Sequence, residues 1–133
     1  MPAFEFVVAG PPATVNSKDN NSKRYQRWIK TVREAARVRW PREQNPVDMQ
    51  ELTVEVTNYY RVQKDRPSPP DVDNVLKPIL DAMNTVVYED DGQVARVVSD
   101  RFDLGKPVPL KSEVTLEAVA THSEFLYIRV FWS

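Results

Sequence analysis

The chain has 133 residues, no Cys, a single His and a net charge of −1, with 41% hydrophobic and 28% charged residues. That length supports one domain with a single core, and the composition is that of an ordinary soluble globule. The missing Cys excludes disulfides, thiolate zinc sites and a Cys nucleophile, and the lone His122 argues against His-rich metal sites and most His-based acid–base schemes. The opening MPAFEFVVAGPP is too short and lacks the basic lead of a signal peptide, and no apolar run reaches a membrane span. The cytoplasm is therefore the expected location, with no membrane partner. The small net charge hides an asymmetry. Residues 16–42 hold nine Lys/Arg against two acids, and the remainder holds nine against seventeen. Such a layout either holds a polyanion and a metal together or is two solvated faces of opposite sign.

Taken in chain order, Phe4 to Ala9 alternates like a strand and stops at Gly10-Pro11-Pro12. A loop through Asn16 and Lys18 leads to a helix from about Ser22 to Trp40. Tyr25, Trp28, Ile29, Val32, Ala35, Ala36 and Trp40 recur at helical spacing as its buried stripe, which makes both tryptophans core residues. Lys23, Arg27, Lys30 and Arg37 occupy another face. Residues 42–50 read as a loop. Glu51 to Val62 is a half-buried strand, and Gln63 to Pro70 (QKDRPSPP) is a loop stiffened by three prolines. A second helix spans about Asn74 to Thr85, capped by Asp73 or Asn74, with Pro78 near its start. Asp90-Asp91-Gly92 is a turn. Val94 to Phe102, Glu113 to Ala120 and Phe125 to Trp132 read as three further strands, and His122 lies in a short turn as polar surface. The last strand, apolar on both faces, is either central in the sheet or paired across a dimer edge. The predicted order is β-α-β-α-β-β-β: an α+β fold in two layers, with a mixed or mainly antiparallel sheet and two helices on one face.

The densest chemistry lies in PDVDNVLKPILDAMNTVVYEDDGQV, Pro70 to Val94, which gathers six carboxylates: Asp71, Asp73, Asp81, Glu89, Asp90 and Asp91. Like charges so close raise one another's pKa unless a cation neutralises them. The acids therefore either fan out into solvent or converge on a metal. In an extended segment Asp71 and Asp73 point the same way, with Cα atoms ~7 Å apart, and can share one cation. Carboxylate oxygens without His or Cys suit Mg²⁺ or Mn²⁺ rather than zinc. Lys77 falls one turn further on, within reach of a phosphate oxygen at the same place. Each element also has a plainer reading: Asp as a helix cap, Lys77 with Asp81 as a surface pair, Asp90-Asp91-Gly92 as an ordinary turn.

This segment resembles the signature of the RusA family of Holliday-junction resolvases: Asp-x-Asp-Asn-x-x-Lys, an Asp four residues on, then an Asp-Asp-x-Gln turn. The matching residues are Asp71, Asp73, Asn74, Lys77, Asp81, Asp90, Asp91 and Gln93. GPPATVNSK, from Gly10, is similar to the family's Pro-Pro-x-x-Asn loop. The resemblance implies a Mg²⁺-dependent endonuclease, with Mn²⁺ as the alternative ion, that acts as a homodimer and makes paired nicks in a four-way DNA junction. It implies that Asp71, Asp73 and Asp91 bind metal, with Asp90 beside them. It makes Lys77 the essential basic residue, with Asn74 and Asp81 in support. The candidate DNA contacts are Asn16, Lys18, Lys23, Arg24, Arg27, Lys30, Lys64 and Arg66. The loop before Asp71 carries only Lys64 and Arg66, opposed by Asp65, where family members tend to be strongly basic. Two competing readings keep the scaffold and change its role. One is a non-catalytic nucleic-acid or partner-binding module, and the other is a nuclease for flaps or forks.

Overall fold

The structure, a computed structural model, describes residues 2–13, 23–66 and 68–133. Its elements are β1 (Ala3–Ala9), α1 (Lys23–Arg39), β2 (Leu52–Tyr60), α2 (Leu76–Met83), β3 (Val94–Asp103), α3 (Glu113–Thr121) and β4 (Phe125–Trp132). The strands form one mixed sheet in the order β1-β4-β2-β3. β4 pairs antiparallel with both β1 and β2, while β2 and β3 run parallel. A parallel pair needs a crossover, and α2 supplies it. Among the described residues no helix is long and apolar enough to cross a membrane.

The α+β class, the mixed sheet and the two helices on one face agree with expectation. Phe6 and Val8 of β1, Val54 and Val56 of β2, and Leu126, Ile128 and Val130 of β4 pack against Tyr25, Trp28, Val32 and Ala36 of α1 and Ile79, Ala82 and Met83 of α2. This is the main core, and both tryptophans of the α1 region belong to it. β4 has neighbours on both sides, so the dimer-edge alternative for Phe125 to Trp132 does not hold. Its residues 125–128 and Val130 are all buried. Each large apolar side chain so placed contributes about 1.5–3 kcal/mol.

One element departs from expectation. Residues 113–121 form helix α3, not a strand, so the order is β-α-β-α-β-α-β. Val114, Leu116 and Ala118 alternate with Glu113, Thr115 and Glu117, which imitates a strand. The same residues also satisfy a helical period, with Thr115 and Ala118 inward and Leu116 left 62% exposed. The deciding signal is at the start. The Thr115 hydroxyl accepts the Ser112 N–H at 3.1 Å and donates to the Ser112 carbonyl at 2.6 Å, and Glu113 favours the helix's positive end. α3 covers the opposite face of the sheet, where Ala118 joins Tyr59, Phe125 and Tyr127 in a second, smaller core.

α2 is also shorter than expected. Residues 72–75 form turns, Val75 stands at the cap without a side-chain bond, and neither Asp73 nor Asn74 caps the helix. Pro78 is its third residue, where a first-turn N–H has no intrahelical partner to lose.

Candidate active site

The acidic segment is built onto the β2-α2-β3 unit, and its path can be followed through its hydrogen bonds. Beyond Tyr60, Arg61 Nε donates to the Ser123 carbonyl at 2.6 Å. Gln63 and Arg66 exchange backbone N–H···O bonds of 3.1 and 3.0 Å, which closes a tight loop. Arg66 then turns inward. Its Nη1 and Nη2 donate to the two carboxylate oxygens of Glu124 at 3.2 and 2.6 Å, and Gln63 Nε2 lies 3.4 Å from the second oxygen. Further on, the chain is tied to β3. Arg101 Nη1 donates to the Pro70 carbonyl at 2.9 Å and lies 3.8 Å from Asp71 Oδ1, and Ser99 Oγ donates to the Val72 carbonyl.

Asp71 and Asp73 consequently sit on a turn rather than on an extended stretch, since the Asn74 N–H donates to the Asp71 carbonyl at 3.1 Å. The period-of-two reasoning that pointed both carboxylates one way does not apply there. Both side chains are exposed. Apart from the Arg101 contact to Asp71, neither carboxylate has a hydrogen-bond or ion-pair partner among the described residues. Lys77, on the first turn of α2, lies 3.4 Å from Asp81 Oδ2, an i,i+4 pair with the lysine 65% exposed.

The second half of the signature is a capped turn. Asp90 Oδ2 accepts the Gly92 N–H at 3.0 Å, and the Asp90 N–H donates to Gln93 Oε1 at 3.0 Å. Gln93 Nε2 in turn donates to the carbonyls of Val47 at 3.1 Å and Gln50 at 3.2 Å. A Cβ on Gly92 would stand 2.6 Å from Asp90 Oδ2, so a side chain there would expel the cap. Asp90 and Gln93 thus shape the turn, and Asp91 is left half-buried with its carboxylate uncommitted among the described residues. Glu89 is exposed, and its N–H donates to the Val47 carbonyl at 3.1 Å.

Two tyrosines lie beneath this surface. Tyr88 is fully buried and its hydroxyl donates to the Leu80 carbonyl at 2.6 Å. Burial pushes it far above the usual tyrosine range, and the charges of Asp91, Asp81 and Asp90 push it further. Tyr25 is raised by burial and by Asp81, and lowered by Lys77. Asp81 therefore lies within electrostatic reach of both halves of the segment. The acids are not closed around one point, however. Among the described residues no three of Asp, Glu and His are grouped so as to hold a metal ion. What fits a hard divalent cation is the chemistry of the donors, the carboxylate oxygens of Asp71, Asp73 and Asp91, which among the described residues have no side-chain contact beyond the approach of Arg101 to Asp71.

Of the candidate DNA contacts, Lys23, Arg24, Arg27 and Lys30 are exposed on α1, opposite its buried stripe, and Lys64 is exposed at the loop tip. Arg66 is engaged with Glu124, and Asn16 and Lys18 lie outside the described residues. Sequence reasoning missed Arg101, Ser99 and Glu124. The alternation of β3 contained a signal for the first two, because Ser99 and Arg101 follow Val97 on one face of the strand.

The parallel crossover carries a group of carboxylates and Lys77, and α1 beside it has an exposed basic face. The chain belongs to the endodeoxyribonuclease RusA family, whose family model matches residues 9–117, from the end of β1 into α3. Membership places it among DNA endonucleases with Holliday-junction activity. No curated protein matches the chain.

Proposed function

We propose that the chain is a Mg²⁺-dependent, structure-selective endodeoxyribonuclease, formed by a single nuclease domain, that resolves four-way junctions by paired nicks. The observation that carries this reading is the family match, which takes in the entire acidic segment. It is supported by the division of labour within that segment. Asp90 and Gln93 fold the turn, while the side chains of Asp71, Asp73 and Asp91 make no comparable hydrogen bonds among the described residues.

A divalent cation, Mg²⁺ or alternatively Mn²⁺, would supply a lowered pKa for the attacking water and charge neutralisation at the phosphate. Asp71, Asp73 and Asp91 would hold it, and Asp90 still has its Oδ1 to offer beside them. Lys77 brings a mobile ammonium to a phosphate oxygen, and Asp81 keeps that ammonium on the correct side of α2 until DNA arrives. Asn74 holds the turn that presents Asp71 and Asp73. Lys23, Arg24, Arg27, Lys30 and Lys64 contact phosphates, joined by Asn16 and Lys18, and so position DNA without reading its sequence. The active species is a homodimer, because a two-fold pair of sites matches the approximate two-fold symmetry of a four-way junction.

The test uses a fixed four-way junction, a flap, a linear duplex and a single strand, each with Mg²⁺ or EDTA, resolved on a denaturing gel. Symmetric paired nicks on the junction alone are expected, and Asp71→Asn and Asp73→Asn should abolish them while binding persists. Nicking that survives either substitution refutes the site, and equal cutting of all four substrates refutes junction selectivity. Light scattering in solution reports the dimer.

A further inference from the structure

β4 has no free edge, but β3 does. It ends the sheet beyond β2, and among the described residues no other backbone pairs with its outer side between Arg96 and Arg101. An open edge is a template for another strand, and charges or a bulge commonly guard it. Here the guards form a pattern. The Leu104 N–H donates to the Tyr60 carbonyl, so by alternation Val97, Ser99 and Arg101 turn their backbone N–H and C=O groups outward. The register slips between Leu52 and Thr53, which leaves Ala95 unpaired and makes Arg96 to Asp103 the regular stretch.

That stretch is self-complementary. A second copy laid antiparallel, with a two-fold axis at Val98, sets Val97 against Ser99 twice and Val98 against itself. It also sets Arg96 against Asp100 twice, on the sheet face away from α1 and α2. Outward backbone groups meet outward groups in that register, and the Arg96–Asp100 pairs take the close, non-hydrogen-bonded positions. Neighbouring axes lose this match. With the axis at Val97 or Ser99, Arg96 meets Val98 or Phe102, and at Asp100 two carboxylates meet. Arg96 is exposed and has no ion-pair partner among the described residues. Asp100 has Lys111 at 3.0 Å, and a carboxylate accepts more than one donor. The apolar side chains agree. Val97 is 42% exposed, and Val72, whose carbonyl takes the Ser99 hydroxyl, is 38% exposed. Because Ser99 would face Val97 of the second copy, Val72 would come beside that valine.

We propose that two copies of the chain join edge to edge through β3, about an axis at Val98, into one continuous sheet. The proposal rests on the reading of the active species as a homodimer and supplies the surface for it. A two-fold axis normal to the sheet puts α1 and α2 of both copies on the same side. The two Arg101 residues, each holding its own Pro70 and Asp71, would stand about six residues apart along the seam, roughly 20 Å. Both acidic segments would then face one bound junction.

The chain has no Cys, so cysteines placed on the seam report its geometry without background. Full-length Val98→Cys, Val97→Cys and Leu116→Cys variants are oxidised and run on a non-reducing gel, with the 62% exposed Leu116 of α3 as the control for random collision. Val98→Cys should form an interchain disulfide in most molecules, because its Cα atoms would stand about 4.5 Å apart across the axis. Val97→Cys lies off the axis, beyond the reach of about 7 Å, and should cross-link no better than Leu116→Cys. Sedimentation over a range of concentrations then reads the charges. Arg96→Asp and Asp100→Arg should each raise the dimer Kd about ten-fold or more, and the double variant, with opposite charges restored in reverse, should return to within about three-fold of the parent. If Asp100→Arg does not fold once Lys111 is repelled, Arg96→Asp and the cysteines decide. A dimeric parent whose Val98→Cys variant cross-links no better than Leu116→Cys overturns this surface and leaves the homodimer reading standing. A double variant no tighter than either single one overturns the register. A parent that stays monomeric overturns both the surface and the homodimer. A parent that nicks no DNA refutes the nuclease reading alone, because none of these measurements needs DNA or metal.

Discussion

Arg33 ties the crossover helix to the rest of the core, and replacing it tests how the site's scaffold is held. Helix C-termini leave backbone carbonyls without intrahelical partners, and α2 has no basic residue in its last turn. Arg33 reaches across from α1 and supplies donors, to the Ala82 carbonyl and, beside the Asn84 N–H at 3.3 Å, to the Asp81 carbonyl. Its Nε lies 3.1 Å from the Ala82 carbonyl and its Nη2 lies 3.2 Å from the Asp81 carbonyl. The site is half-buried, so water replaces these bonds poorly. Two charge-assisted hydrogen bonds at about 1 kcal/mol each, with roughly 0.5 kcal/mol from the cation at the negative end of the helix, give a total of about 2–3 kcal/mol for Arg33→Met. For a chain of this size that corresponds to a Tm about 6–15 °C lower. Urea unfolding with an unchanged m-value is the appropriate assay, because a changed slope would signal a different folded state. Arg33→Lys keeps the charge and loses the fork, and should recover no more than about half of the loss. A cost below about 0.5 kcal/mol for Arg33→Met would show that solvent or another side chain satisfies those carbonyls, and the account of the scaffold would be wrong.

Three further outcomes are expected. Tyr88→Phe leaves the Leu80 carbonyl without its 2.6 Å donor in a fully buried setting, and should cost about 1–2 kcal/mol by chemical denaturation. Thr85 has φ of 67°, which is unfavourable for a β-branched residue, so Thr85→Gly should raise stability by roughly 0.5–1 kcal/mol; a loss would show that its side chain holds the turn. Replacing Lys23, Arg24, Arg27 and Lys30 together by Gln should weaken junction binding and flatten the plot of log affinity against log salt by up to about 3–4, a change measurable by fluorescence anisotropy. An unchanged slope would mean that DNA passes elsewhere.

Most of the sheet was legible in the sequence because its strands alternate cleanly, and β4 was legible from its doubly apolar run. α3 was not, because small and β-branched residues at 113–121 satisfy both periods and only the Ser112–Thr115 bonds decide between them. The residues of the acidic segment were legible as chemistry, but their arrangement was not. Alternation assumed an extended chain at Asp71–Asp73, and the Asp71–Asn74 turn replaces it. Arg66 shows the same gap. A cation in a loop before an acidic motif suggests a phosphate ligand, and nothing local indicates that Glu124, 58 residues later, is buried and waiting for it.

The placement of cations resolves the charge asymmetry. Arg66 is committed to Glu124, Arg101 to Pro70 and Asp71, Lys111 to Asp100, Arg33 to the end of α2, and Lys77 faces Asp81. Each of these holds the fold or the acidic segment. Lys23, Arg24, Arg27 and Lys30 are different: exposed, on one helix, and without an ion-pair partner among the described residues. Clustered like charges repel and destabilise the folded chain slightly, so their concentration does nothing for the fold. A polyanion laid against that helix would relieve the repulsion and release counterions as it bound. α1 also packs on α2, the helix that carries Lys77, and its Arg33 holds the end of that helix. The basic face of α1 and the helix bearing Lys77 are therefore parts of one packed unit, so DNA bound to α1 would be held in fixed relation to Lys77. The net charge of −1 does not count against a DNA enzyme built this way, because the acids that offset its cations include those the proposed chemistry requires.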